Sequence, residues 1–147
     1  MNSNRGSHIE ILLVEDNPGD ARLMSEAFAQ ATVKNRVSTV IDGESALAFL
    51  RHQDDYADAP RPDLILLDLN LPQKKGHAVL AEIKSDVNLR RIPVVVLTGS
   101  KAEEDIAAAY NLKVNSYITK PRDHQELVEM VRGIEDFWLT VVKLPRD

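Results

Sequence analysis

Five polar residues stand at the ends of short apolar runs, and their types suit the handling of a phosphoryl group. Glu15 and Asp16 follow the run 9–14, Asp68 follows Leu64-Ile65-Leu66-Leu67, Thr98 follows 93–97, and Lys120 comes just after 116–118. Three carboxylates brought together repel one another and at neutral pH call for a cation. An all-oxygen set of this kind suits Mg²⁺, which keeps several waters and uses few carboxylates, with Mn²⁺ as the alternative. Asp68 could then attack phosphorus as a nucleophile, Lys120 could set a point charge against the phosphoryl oxygens, and Thr98 could donate its hydroxyl to another of them. Phosphoryl transfer asks mainly for positioning and charge stabilisation, and these groups offer both. Each has an ordinary explanation when taken singly. Asp68, Glu15 and Asp16 could cap or turn the chain, Thr98 could be a satisfied strand-end hydroxyl, and Lys120 a solvated charge. Their joint placement is what favours the chemistry.

Residues so far apart in sequence meet only if the runs before them are parallel strands of one sheet, whose ligand site lies beyond the strands' carboxyl ends. The pattern fits, because short apolar runs alternate with segments of helical period. The run 9–14 is nearly all apolar, as a strand buried on both faces should be. Asp16 and Asn17 offer capping oxygens and Pro18 opens a helix that buries Ala21, Met24, Ala27, Phe28 and Ala31. A second strand is expected at 36–41, a turn at Asp42-Gly43, and a helix with Ala46, Leu47, Phe49 and Leu50 on its apolar face. Residues 51–62 are polar, contain two prolines and read as a loop. Strands at 64–67, 93–97 and 116–118 follow. Helices start at Gly76, carrying Val79, Leu80 and Ile83, and span 102–110; a last one is capped by Asp123 and runs to about 142. The expectation is one α/β domain over 9–147 with five strands and five helices.

At 147 residues, 44% of them hydrophobic and 28% charged, the chain has the make-up of a folded domain with a real core. A formal charge of -5 lowers the odds of nucleic-acid binding, and no apolar run approaches a membrane span. Without cysteine there are no disulfides, thiolate catalysis or thiolate metal sites. The four histidines are not spaced as metal ligands, His77 reads as an exposed helix position, and Lys74-Lys75 as solvated charge. Residues 1–8 are polar, without a signal-peptide core, and read as a disordered tail or an expression scar; a cytoplasmic location is expected.

The segments Leu12-Leu13-Val14-Glu15-Asp16, 63–72 around Asp68, Val96-Leu97-Thr98-Gly99 and Tyr117-Ile118-Thr119-Lys120-Pro121 together resemble the receiver domains of two-component response regulators. The likeness covers nearly the whole chain from Ile9 onward. It implies a doubly wound, flavodoxin-like parallel sheet in the order 2-1-3-4-5, Asp68 as phospho-acceptor, and Glu15 and Asp16 as Mg²⁺ ligands. It further implies that the Asn70 backbone carbonyl joins them, that Thr98 and Tyr117 form a switch pair, and that the Lys120–Pro121 bond is cis. A sensor histidine kinase would be the phosphoryl donor, and the chain would be no enzyme beyond its own phosphorylation and dephosphorylation. A phosphatase on a related sheet would want a second Asp two residues after the nucleophile, where this chain has Asn70. A flavodoxin-type cofactor carrier would want a phosphate loop after the first strand, and Asp16-Asn17-Pro18-Gly19-Asp20 is acidic.

Leu127, Val131, Ile134, Trp138 and Val141 make one helical stripe that would face the sheet. Met130, Phe137, Leu139, Val142 and Leu144 add apolar surface beyond it, and extra surface of this kind tends to be covered by a partner. The tail Ile134-Glu135-Asp136-Phe137-Trp138-Leu139 with Val142-Lys143-Leu144-Pro145 resembles the receivers that partner bacterial and cyanobacterial phytochromes. That likeness implies a phytochrome-type kinase and a homodimer formed through Met130, Phe137, Trp138, Leu139 and Val142. The alternatives are a relay or phosphate-sink receiver for another kinase, or a phosphate-independent dimerisation module.

Overall fold

The computed structural model describes residues 8–69, 71, 76–98 and 116–141, with the backbone alone at 98 and 139–141. In chain order it runs through β1 (Ile9–Val14), α1 (Pro18–Ala29), β2 (Asn35–Val40) and α2 (Gly43–Leu50), then a 3₁₀ turn at Asp54–Tyr56. It continues with β3 (Leu64–Asp68), α3 (Gly76–Ser85), β4 (Val94–Thr98), β5 (Ser116–Thr119) and α4 (His124–Ile134), and ends in a π-helical segment, Glu135–Val141. All neighbouring strands are parallel, and the sheet order is β2-β1-β3-β4-β5. That is the expected 2-1-3-4-5 sheet. Four helices fall among the described residues; the helix expected at 102–110 lies outside them.

Strict alternation along the central strands divides the core in two. Ile11, Leu13, Leu64, Leu66, Val95 and Leu97 face α1, α4 and the π-helical segment, where Met24, Phe28, Leu127, Val131, Ile134 and Trp138 cover them. Leu12, Val14, Ile65, Leu67, Val94 and Val96 face the other way, under Leu47, Phe49, Leu50, Val79, Leu80 and Ile83 of α2 and α3. Both faces are thus covered, which is why these strands are apolar at nearly every position rather than at alternate ones. Their carboxyl ends are left as the free edge of the sandwich.

Three of the four described helices, α1, α2 and α4, start at a short polar side chain. Asn17 Oδ1 accepts the Asp20 N–H at 2.9 Å, Asp42 Oδ1 accepts that of Ser45 at 2.7 Å, and Asp123 Oδ2 that of Glu126 at 3.1 Å. Asp42 is therefore the cap and Gly43 the first helical residue, rather than two halves of a turn.

Several expected boundaries move. Helix α1 ends at Ala29, short of Ala31, and β2 ends at Val40, leaving Ile41 exposed beyond it. The last helix keeps α-geometry only to Ile134 and then winds more widely. In π winding four residues make nearly a full turn, so Trp138 still comes round to the inward line of Ile134. No peptide bond among the described residues is cis, so Lys120–Pro121 is trans, the form favoured for X–Pro bonds by about 0.5–1 kcal/mol.

Candidate functional site

At the carboxyl edge of the sheet, β1 delivers Glu15 and Asp16, β3 ends in Asp68, and the chain leaving β5 carries Lys120. β1 and β3 are adjacent and in register, Val14 beside Leu67, so the residues that follow them are brought together by the ladder itself. Glu15 is held down by its own N–H, which donates to the Val40 carbonyl at 3.0 Å. A carboxylate oxygen from each of Glu15, Asp16 and Asp68 lies within 4.8 Å of the others. Two of the three are buried, Glu15 at 1% exposure and Asp68 at 4%.

Charges buried this deeply need partners. Lys120 provides one, its Nζ lying 2.6 Å from Glu15 Oε1 and 3.3 Å from Asp68 Oδ2. The Asn17 N–H donates to the second Glu15 oxygen at 3.1 Å. Burial pushes the Glu15 carboxyl up to about 7 against the pull of these donors, and the neighbouring Asp68 charge adds to the rise. Burial also works against the Lys120 ammonium, but the carboxylates of Asp20, Glu15 and Asp68 outweigh it and hold the amine above its ordinary range.

The donor set fits a hard divalent cation: all oxygen, grouped, partly buried and open to solvent on the Asp16 side. Gly76 shows how closely the β3 end is packed. A Cβ there would stand 2.3 Å from the Leu69 Cα and 2.8 Å from the Asp68 carbonyl oxygen, so only glycine fits where α3 begins.

The other expected residues are distributed differently. The Thr98 backbone pairs with Thr119 across β4 and β5, and its side chain lies outside the description. Asn70 and Gly99 also lie outside the described residues. Tyr117 is half-buried against the cluster under α2 and α3. Of the C-terminal apolar set, Trp138 is 7% exposed and belongs to the core beneath α4, Met130 packs beside it, and Phe137 is 54% exposed. The Leu139 side chain and Val142 are outside the description. One site residue was not anticipated. Asp20 Oδ2 lies 2.8 Å from Lys120 Nζ, nearer than Asp68 does.

A doubly wound sheet with grouped acids and a lysine at its carboxyl edge defines a receiver, and comparison with known proteins agrees. Residues 11–132 match the response regulator receiver domain, and the chain belongs to that family. It is similar to the response regulator Rcp1 of Synechocystis sp., 53% identical over 135 residues that cover 92% of each chain. Among solved structures, the phosphorylated cyanobacterial phytochrome response regulator RcpA matches with a TM-score of 0.91 at 57% identity, over 95% of this chain and 99% of that one. The Mn²⁺-bound form of Rcp1 matches with a TM-score of 0.90 at 52% identity, over 94% and 99%.

Proposed function

We propose that this receiver takes a phosphoryl group onto Asp68 from a sensor histidine kinase of the phytochrome type, with Mg²⁺ or Mn²⁺ bound, and signals by a change of shape and protein contact. The observation that carries the reading is Asp68 itself: a buried carboxylate at the end of a central strand, grouped with Glu15 and Asp16 and 3.3 Å from Lys120 Nζ. The kinase class is supported by the kinship with RcpA, a phytochrome response regulator at 57% identity, and the metal by the Mn²⁺ form of Rcp1.

Glu15, Asp16 and Asp68 would hold the cation, joined by the Asn70 carbonyl. The bound cation supplies charge neutralisation to the carboxylates and to the phosphoryl oxygens. An Asp68 oxygen attacks phosphorus; a new P–O bond forms as the bond to the donor's imidazole nitrogen breaks and the imidazole departs. Lys120 pairs with the phosphoryl oxygens, so its charge offsets the added negative charge. Thr98 donates its hydroxyl to a phosphoryl oxygen, and Tyr117 follows it as the second half of the switch. The chain turns over no external substrate, and its only catalysis is its own phosphorylation and dephosphorylation.

We further propose a homodimer through the C-terminal region. Phe137 is half-exposed beside an apolar groove of about 200 Å³ lined by Ile118, Met130, Ile134 and Trp138, next to β5 at the sheet's edge. No helix among the described residues is long and apolar enough to cross a membrane, and we place the protein in the cytoplasm with its kinase.

Acetyl phosphate with Mg²⁺ should add one acid-labile phosphate, seen as a mass increase, and Asp68→Asn should abolish it. Undiminished labelling of that variant would overturn the assignment.

A further inference from the structure

We infer that Asp20 is a positioning residue that holds the Lys120 ammonium away from Asp68 and competes with the incoming phosphoryl group for it. The inference rests on the reading of Asp68 as the phosphoryl acceptor.

An ammonium group has three N–H donors. Around Lys120 Nζ stand three carboxylate oxygens, Glu15 Oε1 at 2.6 Å, Asp20 Oδ2 at 2.8 Å and Asp68 Oδ2 at 3.3 Å. The longest of the three contacts is the one to the acceptor. A phosphoryl group on Asp68 brings further oxygens and more negative charge, and Lys120 can meet it fully only by giving up a shorter contact. Glu15 has no exposed side-chain surface, whereas the Asp20 side chain is 23% exposed. Water can therefore take over at Asp20 at far lower cost, and Asp20 is the partner that yields.

The local chain explains why Asp20 points to Lys120. It occupies the third position of α1, where its N–H is taken by Asn17 Oδ1 at 2.9 Å. An acidic side chain at this position commonly reaches back to the N–H of the capping residue. Here that N–H, of Asn17, already donates to Glu15 Oε2 at 3.1 Å. The Asp20 carboxylate instead crosses to the residue that follows β5. A purely local role, favourable charge at a helix start, would need no such crossing.

The test is titration with beryllofluoride, a phosphoryl mimic, in the presence of Mg²⁺, together with the rate of labelling by acetyl phosphate. Asp20→Asn should bind the mimic about fivefold tighter than the wild type and take up phosphate faster by a similar factor, the worth of a partly solvated ion pair. Asp20→Glu, which keeps the charge, should stay within about twofold of the wild type. On a Lys120→Ala background the Asp20→Asn gain should vanish, because the effect runs through the lysine. A helix-start role alone would move the melting temperature of Asp20→Asn and leave the affinity unchanged, and that result overturns the inference. So does a gain that persists in full without Lys120, since Asp20 would then act by direct repulsion. A wild-type chain that takes up neither mimic nor phosphate would instead overturn the reading of Asp68.

Discussion

A carboxyl group at 1% exposure that faces a second carboxylate gives up its proton reluctantly, and at Glu15 this has a consequence for the metal. Burial is the main reason the group is pushed up to about 7, with the Asp68 charge adding to it and Lys120 and the Asn17 N–H opposing. Because this lies above the ordinary carboxylate value of 4.5, the metal-free folded chain binds protons more tightly here than the unfolded one. The stability this group lends is present at acid pH and lost as pH rises through about 7. A cation reverses the preference, since only the ionised carboxylate ligates. Mg²⁺ binding measured by calorimetry should accordingly be about tenfold weaker at pH 6 than at pH 8, and Glu15→Gln should flatten that dependence. Equal affinities at the two pH values would mean that Glu15 does not titrate against the metal. Glu15, Asp16, Asp68 and Lys120 were all legible in the sequence, because a residue just past a strand of a parallel sheet has little choice of where to go. Asp20 was not. Its place as the third residue of α1 reads as an ordinary acidic helix start, and its partner lies far along the chain, where only the assembled sheet brings it near.

Among the elements, the starts of α1 and α4 were legible because Asn17 and Asp123 carry the capping chemistry in their own side chains, whereas the Asp42 cap reads in sequence as half of a turn with Gly43, and the helix ends carry no such mark. After α2 the chain turns through Arg51 into His52, which has a φ of 56°, a left-handed conformation that a glycine would adopt freely. With no glycine to mark the stop, residues 51–62 read as undifferentiated loop. The same lack of a marker hid the change from α to π winding after Ile134, since the inward residues Leu127, Val131, Ile134 and Trp138 keep a spacing that suits either. The strained position makes a prediction about α2. His52 is exposed, and replacing it by glycine should stabilise the fold by roughly 0.5–1 kcal/mol, a rise of about 2–4 °C in melting temperature. His52→Ala, which retains the Cβ, should leave it nearly unchanged. A glycine variant that melts no higher than the wild type would show that the left-handed residue costs the helix end nothing.

For the whole molecule, the two adjacent aromatics at the end of the chain separate folding from assembly. Phe137 and Trp138 meet edge to face, with ring centroids 5.6 Å apart, but they are buried to very different degrees. Trp138 is 7% exposed and closes the core between α1, α4 and the sheet, while Phe137 is 54% exposed beside the groove at β5. In the sequence Trp138 falls on the stripe that faces the sheet and Phe137 in the apolar excess beyond it, yet the family resemblance implies both in one dimer face. The structure gives them different roles to test. Trp138→Ala removes a core side chain and should cost about 3–5 kcal/mol of stability, visible in denaturant unfolding of the monomer. Phe137→Ala exposes no core and should leave the unfolding midpoint of the monomer within about 0.5 kcal/mol. Its effect should fall on association, with sedimentation across a concentration series showing a dimer at least about tenfold weaker than the wild type's, as expected for loss of an aromatic anchor. If the wild type sediments as a monomer at high concentration, or if Phe137→Ala dimerises as well as the wild type, the surface beside β5 is not where two copies meet.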